Sequence, residues 1–126
     1  MLIGIGHDLQ IMRELEGREG LATEGVFFTA RECAHFGRAK SPIASMAGLW
    51  SAKESFFKAV PQLPRSSWTD IEIVHDERGA PSFSLHGTIA SMFAARGWSA
   101  RLAITHSGDY ASSVVIITDD PPLTSG

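Results

Sequence analysis

The clearest hydrophobic pattern in the chain lies between Ser41 and Pro61 and predicts a long helix. Ser41 is a favoured N-cap residue and Pro42 suits the first helical position. Pro61 cannot continue a helix, so the predicted helix ends at Val60. Bulky apolar side chains form a wide stripe along this helix, and small or polar side chains form the opposite face. The stripe contains Ile43, Met46, Ala47, Leu49, Trp50, Phe56, Phe57 and Val60, and the opposite face contains Ser41, Ser45, Gly48, Ser51, Ser55 and Lys58.

Shorter patterns on both sides of this helix predict strands and two further helices. Thr29-Ala30-Arg31-Glu32 is a capping box with Phe28 and Cys33 in the two staple positions, so a helix begins there and ends near Phe36. Alternating side chains, turn residues and glycines predict the remaining elements. These are a buried strand at 2–7, a short helix or turn at 8–15, strands at 70–75, 82–85, 99–106 and 111–118, and a helix at 88–96.

Together these elements predict one α+β domain in which a small antiparallel sheet packs against the long helix. The chain has 126 residues, a length that fits a single domain with its own hydrophobic core. We expect this domain to span residues 1–118. Residues 119–126 are rich in proline and serine, which predicts a mobile C-terminal tail.

Composition excludes several classes of protein. The chain is 44% hydrophobic and 20% charged, which is ordinary for a globular domain, and its net charge of −3 argues against a general nucleic-acid binder. No apolar run approaches the length needed to span a membrane. The single cysteine, Cys33, excludes an internal disulfide framework and fits a reducing compartment. We therefore expect a cytoplasmic protein.

Two acids, Asp8 and Glu54, lie in apolar stretches of the sequence, where a charged carboxylate is energetically unfavourable. Asp8 follows the apolar segment 2–7, with glycines at positions 4 and 6 on its own face of the strand. Glu54 lies between Trp50 and Phe57 on the surface of the long helix. A carboxylate in apolar surroundings needs a cation, a metal ion or a proton. Two such acids from distant segments suggest one shared divalent cation, and therefore a site that handles phosphate.

Each of these residues also has a plainer interpretation. Asp8 is a common helix N-cap, and Glu54 forms a weak surface pair with Lys58 if both point to solvent. Lys53, next to Glu54, either extends its ammonium group to water or brings positive charge to a bound phosphate. The residues alone leave these alternatives open.

A third candidate element is the pair His106 and Ser107. Leu102, Ile104 and His106 share one face of a predicted strand, so His106 points inward at the strand's end, where sites often form. A hydrogen-bonded core histidine and a serine that caps a turn are the alternatives. No Walker loop is present, and no other histidine has metal-ligand spacing.

Taken in order, these motifs resemble holo-acyl-carrier-protein synthase, the small 4′-phosphopantetheinyl transferase family. The resemblance extends from about Leu2 to Thr118. The matching segments are Gly4-Ile5-Gly6-His7-Asp8, Phe28-Thr29-Ala30-Arg31-Glu32, Trp50 to Ala59, Trp68 to Ile73, Gly79-Ala80-Pro81, and Ile104-Thr105-His106-Ser107-Gly108-Asp109-Tyr110-Ala111.

The resemblance implies a reaction and a set of roles. The family moves the phosphopantetheine arm of coenzyme A to a serine of an apo acyl carrier protein and releases 3′,5′-ADP. Asp8 and Glu54 would hold Mg²⁺, and Lys53 would add positive charge at the phosphates. His106 and Ser107 would contact coenzyme A phosphates. The family is a homotrimer with active sites at subunit interfaces. The general base would be a metal-bound water or a nearby carboxylate, of which we choose Glu54, and the sequence does not decide between them.

Three departures from the family pattern stand out. Leu49 replaces a usual arginine, and Val60-Pro61-Gln62-Leu63-Pro64 replaces a usual Gly-Thr-Gly, which changes the expected grip on the adenosine 3′-phosphate. The early segment 13–24 mixes acidic and basic residues where the family is basic, so we expect a less acidic carrier. Two other functions remain: a non-catalytic relative that binds coenzyme A or a carrier protein, and an unrelated Mg²⁺-dependent phosphohydrolase.

Overall fold

The computed structural model of the protein describes residues 1–119 and confirms the predicted α+β class. In the described part of the chain, none of the helices is both long and apolar enough to cross a membrane. The strands are β1 (Leu2–Ile11), β2 (Ile71–His75), β3 (Pro81–Leu85), β4 (Ser99–Ser107) and β5 (Tyr110–Thr118), and the helices are α1 (Ala30–Gly37), α2 (Pro42–Ala59) and α3 (Gly87–Arg96). Short 3₁₀ helices occupy Met12–Leu15, Glu19–Ala22 and Trp68–Asp70.

The strands form a three-stranded antiparallel sheet in the order β1-β5-β4 and a separate hairpin of β2 and β3. Helix α2 lies across one face of the larger sheet, as predicted. Its Phe56 is fully buried against β5 residues Val115 and Ile117, beside Phe93 of α3. The hydrophobic core on both sides of α2 therefore fixes the helix over β1 and β5.

The local signals at the helix ends are confirmed. Thr29 accepts a hydrogen bond from the backbone of Glu32, whose carboxylate accepts one from the backbone of Thr29. Ser41 caps α2, with Pro42 at its first position, and Val60 follows the last helical residue. These contacts are local in sequence, which is why the pattern predicts them.

The first strand differs from the prediction. β1 continues through Asp8 to Ile11, and the 3₁₀ helix that follows has Ile11 at its N-cap. The interpretation of Asp8 as a helix cap is therefore wrong. Strand β1 is also not buried on both faces, because Ile5 and Leu9 are 60% and 58% exposed on the face away from α2.

The small, polar face of α2 is also not a solvent face. Ser51 and Ser55 are fully buried, and their hydroxyl groups contact the hydroxyl of Ser113 on β5 at 2.8 and 2.7 Å. A Cβ atom at Gly6 would overlap the carbonyl oxygen of Ser55, and one at Gly4 would overlap that of Ala59. Glycine and serine therefore let the backbones of α2 and β1 approach closely.

The predicted domain boundary at 118 stays a prediction. Asp119, the first residue of the predicted tail, pairs with the Met1 amino group at 2.9 Å. The rest of the predicted tail, 120–126, lies outside the described residues.

Candidate active site

The close contact between α2 and β1 positions Asp8. Its backbone carbonyl accepts hydrogen bonds from Ser51 of α2 and Ser112 of β5, at 3.3 and 3.2 Å. Its Oδ1 accepts a hydrogen bond from Lys58 Nζ at 3.0 Å. Its Oδ2 is buried and has no hydrogen-bond partner among residues 1–119. One oxygen of a largely buried carboxylate is therefore available to a ligand.

Glu54 lies one helical turn before Lys58 and belongs to the same cluster. Partial burial raises the pKa of the Glu54 carboxyl above its ordinary range, and the negative charge of Asp8 raises it further. The positive charge of Lys58 acts in the opposite direction. The structure thus brings Asp8 and Glu54 close enough to repel each other, and Lys58, on the same helix as Glu54, pairs with Asp8.

This pair of acids fits Mg²⁺. Magnesium prefers one or two carboxylates and completes its coordination with water and substrate phosphates. Among residues 1–119, no group of three or more His, Cys, Asp or Glu side chains is placed to hold a metal. A two-carboxylate site with the unpartnered Asp8 Oδ2 would therefore leave most coordination positions to other oxygens. The assignment of Asp8 and Glu54 as ligands stays a prediction.

Lys53 has a different place from the one expected. Its side chain is 0% exposed, and Nζ donates to Glu32 Oε1 at 2.8 Å and to the carbonyl of Trp68 at 2.9 Å. The same Glu32 carboxylate accepts from the backbone of Ile73 at 2.9 Å. The ammonium group therefore does not reach water, and it joins α2 to α1 and, through Glu32, to β2. The prediction that Lys53 adds charge at a phosphate is corrected on this ground.

Sequence reasoning missed Lys58 as a site residue. It treated Lys58 only as a surface partner of Glu54 on the small polar face of the helix. That face packs on the sheet, so Lys58 crosses over β1 and bonds both the side chain of Asp8 and the carbonyl of His7. The signal was available in its spacing from Ser51 and Ser55, which share the face.

His106 and Ser107 lie apart from the two acids. They are neighbours on β4, so their side chains point to opposite faces of the sheet. The His106 ring lies against Gly48 of α2, and its Nε2 hydrogen-bonds to the carbonyl of Ala44 at 2.9 Å. Strand β5 separates β4 from β1, so one chain does not bring these residues to Asp8.

The chain is similar to known proteins along almost its whole length. A family model for the 4′-phosphopantetheinyl transferase superfamily matches residues 4–115. A holo-[acyl-carrier-protein] synthase of Deinococcus radiodurans is 39% identical over 126 residues, covering 93% of each chain. One from Streptococcus uberis is 35% identical and covers 95% of this chain and 99% of that one.

Solved structures of the same kind share the fold. The holo-[acyl-carrier-protein] synthase of Neisseria meningitidis superposes with a TM-score of 0.81 at 28% identity, covering 94% of this chain and 99% of the other. The acyl carrier protein synthase of Mycobacterium tuberculosis gives a TM-score of 0.75 at 31% identity, covering 94% and 98%. A Chronobacterium ammoniagenes synthase in complex with coenzyme A gives 0.74 at 28%, covering 90% and 95%. The chain therefore belongs to the 4′-phosphopantetheinyl transferase superfamily, among the holo-[acyl-carrier-protein] synthases.

Proposed function

We propose that this enzyme transfers the 4′-phosphopantetheine arm of coenzyme A to a serine of an apo acyl carrier protein, with Mg²⁺, and releases 3′,5′-ADP. The observation that carries the proposal is the buried Oδ2 of Asp8, which has no hydrogen-bond partner among residues 1–119 and lies beside Glu54 and Lys58. A carrier serine oxygen bonds to the phosphorus of the arm. The bond from that phosphorus to the bridging oxygen of the diphosphate breaks, and 3′,5′-ADP leaves with the electron pair.

The roles of the side chains follow from their positions. Asp8 and Glu54 would hold Mg²⁺, which when bound would polarise the phosphoryl oxygens and neutralise charge on the leaving 5′-phosphate of 3′,5′-ADP. Lys58 orients Asp8 and places a positive charge next to the same site. We assign the serine proton to Glu54, the carboxylate that lies beside Asp8 and Lys58. The chain needs no nucleophile of its own, since the carrier supplies one.

We also propose that the enzyme works as a homotrimer in the cytoplasm. The sheet face away from α2 carries several exposed apolar side chains, including Ile5, Leu9, Tyr110 and Ile116. Such a patch is typical of an interface between subunits. A neighbouring copy would bring its β4 edge, with His106 and Ser107, to the acids at the β1 edge. The single cysteine, Cys33, is a free thiol, which suits a reducing compartment.

Charged residues near the site determine which acyl carrier protein this enzyme prefers. Arg13, in the early segment expected to meet the carrier, lies 3.6 Å from Asp109, so part of its charge is already compensated. Glu14 and Glu16 are exposed in the same segment. We propose a less acidic carrier than a general fatty-acid carrier, because docking depends on charge complementarity. Modification rates on carriers of graded charge test this, and the fastest rate on the most acidic carrier would contradict it.

One assay tests the function. The protein is mixed with coenzyme A, Mg²⁺ and an apo carrier, the carrier is weighed by mass spectrometry, and released 3′,5′-ADP is measured by chromatography. We expect the arm on the carrier and one released nucleotide per transfer, both abolished by EDTA. Coenzyme A binding without transfer would instead indicate a non-catalytic relative, and cleavage without a carrier would indicate a phosphohydrolase.

Matched variants connect the assay to the site. We expect Asp8→Asn and Glu54→Gln each to lower transfer by at least about 100-fold, since each removes a charged group from a metal-dependent site. Glu77→Gln removes an exposed acid from the turn between β2 and β3 and serves as the control, with an unchanged rate. Near-normal transfer in either site variant would remove that residue from the proposed roles.

A further inference from the structure

One side of α1 carries three nitrogen-rich side chains in a row. Arg31, His35 and Arg38 are spaced by four and three residues, so they follow one another along the same side of the helix. The helix packs beside β2, and His75 at the end of that strand stacks on His35, with ring centroids 3.7 Å apart and an angle of 4° between the rings. Helix and strand thus bring four such side chains to one place.

These four side chains line a cavity of about 190 Å³ together with Ile73 and Val74 of β2. Among the described residues that line it, none belongs to α2 or to β4, so this cavity is separate from the surroundings of His106. Sites for drug-sized ligands begin at roughly 300 Å³. The space therefore suits an ion of a few atoms and is too small for a nucleotide.

The two guanidinium groups at this cavity have no acidic partner. Among residues 1–119, no carboxylate forms a hydrogen bond or an ion pair with either group. Glu72 lies near enough for Arg31 to lower its pKa, but both of its oxygens are hydrogen-bonded to other side chains. Asp76 accepts hydrogen bonds from the backbone of its own turn. Uncompensated guanidinium groups that face one space favour an anion there.

The two histidines add hydrogen-bond donors to this charge. Burial lowers the pKa of both rings, Arg38 lowers that of His35 further, and His35 lowers that of His75 against an opposite effect of Asp76. Each ring is therefore largely neutral near pH 7 and keeps one N–H donor. Two cations and two neutral donors match a ligand that has negative charge and several acceptor oxygens.

From these observations we infer that the cavity lined by Arg31, Arg38, His35 and His75 binds a small oxyanion such as inorganic phosphate. A planar guanidinium group binds two oxygens of a phosphate side by side, which gives this class of ion an advantage over chloride. The inference does not depend on the proposed function, because none of these four residues belongs to the cluster of acids.

A bound oxyanion here would stabilise the fold. It would connect α1 to β2 beside the existing contact, in which the Glu32 carboxylate accepts a hydrogen bond from the backbone of Ile73 at 2.9 Å. The same carboxylate holds Lys53 of α2 at 2.8 Å. The ion would thus strengthen the attachment of α1, and a ligand that binds only the folded protein raises its melting temperature.

Thermal melts measure this binding. The protein is melted at pH 7.5 in EDTA, with 20 mM sodium phosphate or with sodium chloride at the same ionic strength. Both arginines are exposed, so we expect a dissociation constant of about 1 mM and a rise in Tm of about 3–6 °C over chloride. Arg31→Gln and Arg38→Gln should each weaken binding about tenfold and lose about half of this rise or more.

Two control variants locate the effect. Arg78→Gln removes an exposed arginine from the turn between β2 and β3, and His106→Asn changes a histidine on β4. Neither residue lines this cavity, so both variants should keep the native rise in Tm. A rise that is lost in His106→Asn and kept in both arginine variants would place the phosphate elsewhere and overturn the inference.

Two further results would also contradict it. One is a native protein whose Tm is the same in phosphate and in chloride. The other is a larger rise with 5′-AMP than with phosphate that both Arg31→Gln and Arg38→Gln abolish, because a nucleotide would then occupy the cavity. Carrier modification takes no part in these melts, so failure of the proposed function would leave their outcome unchanged.

Discussion

Lys58 of α2 reaches across β1 to donate a 3.0 Å hydrogen bond to Asp8, and it engages only one of the two carboxylate oxygens. The other oxygen stays buried without a partner among residues 1–119. This pairing shows that the two segments carrying the acids are joined before any ligand arrives. It compensates only part of the negative charge of the two acids, and the rest is the charge that the proposed Mg²⁺ site requires.

Replacing Lys58 separates a role in the site from a role in stability. We expect Lys58→Met to lower transfer by about 10- to 100-fold, because the charge beside Asp8 and its orientation are both lost. The side chain is 53% exposed, so the free energy of unfolding should fall by less than about 1 kcal/mol. Carrier modification and urea unfolding measure the two effects. Full activity in Lys58→Met would show that Asp8 needs no lysine.

Lys53 should behave in the opposite way. Lys53→Met removes one partner of a fully buried ion pair and leaves Glu32 charged inside the core, which should cost about 3–5 kcal/mol of unfolding free energy. The double variant Lys53→Met with Glu32→Gln should recover part of this loss, because no buried charge then remains. Guanidinium unfolding checks both. If Lys53→Met lowered transfer without lowering the free energy of unfolding, Lys53 would have a role in the active site after all.

Glu54→Gln is expected to stabilise the metal-free protein while it removes activity. The pKa of Glu54 is raised above its ordinary 4.5, so the folded protein binds this proton more tightly than the unfolded chain. The stability from this group is present below pH 4.5 and is lost as the pH rises through the raised pKa.

At pH 8 in EDTA, the Gln variant should therefore be more stable, by less than about 1 kcal/mol because the group is partly exposed. Thermal melts at pH 8 and pH 4.5, with and without Mg²⁺, measure this difference. Mg²⁺ should raise the Tm of the native protein and not that of the variant. A variant less stable than the native protein at pH 8 would show that Glu54 is not under strain.

The close packing of α2 on β1 predicts a large effect of a single methyl group. Gly6→Ala places a Cβ on the carbonyl oxygen of Ser55, a backbone atom that cannot move aside cheaply. We expect a loss of about 1–3 kcal/mol together with reduced transfer, because Asp8 moves with the strand. Gly37→Ala, where the added atom meets nothing within 4 Å, is the control and should leave both quantities near native. A native-like Gly6→Ala would contradict the observed spacing.

Assembly can be tested on the open sheet face. Leu9→Arg places a charge in the middle of the exposed apolar patch, and we expect it to convert a trimer into monomers because a buried unpaired charge is costly. Leu63→Arg changes another exposed leucine, on the loop after α2, and should leave the trimer intact. Sedimentation equilibrium measures both. A native protein that sediments as a monomer would contradict the proposed assembly.

The sequence predicts features that depend on neighbouring residues. It does not predict features that depend on contacts between residues far apart in the chain. The first residues of α1 and α2 follow from the local N-cap residues Thr29 and Ser41. The extension of β1 through Asp8 depends on pairing with β5, where Asp8 lies opposite Ser113, more than a hundred residues away. The burial of Lys53 likewise depends on Glu32 in another helix, and no pattern around Lys53 reveals that partner.

The hydroxyl cluster of Ser51, Ser55 and Ser113 has a consequence for how this site could change. At these three serines, between the apolar contacts on both sides of α2, hydrogen bonds fill the contact, so the gap between helix and sheet is set there by bond lengths and has little slack. Because Asp8 lies on β1 and Glu54 on α2, the distance between the two acids depends on that gap. To make this enzyme bind a larger cation, one would have to replace the glycines and serines of this contact, and the two carboxylates could stay unchanged.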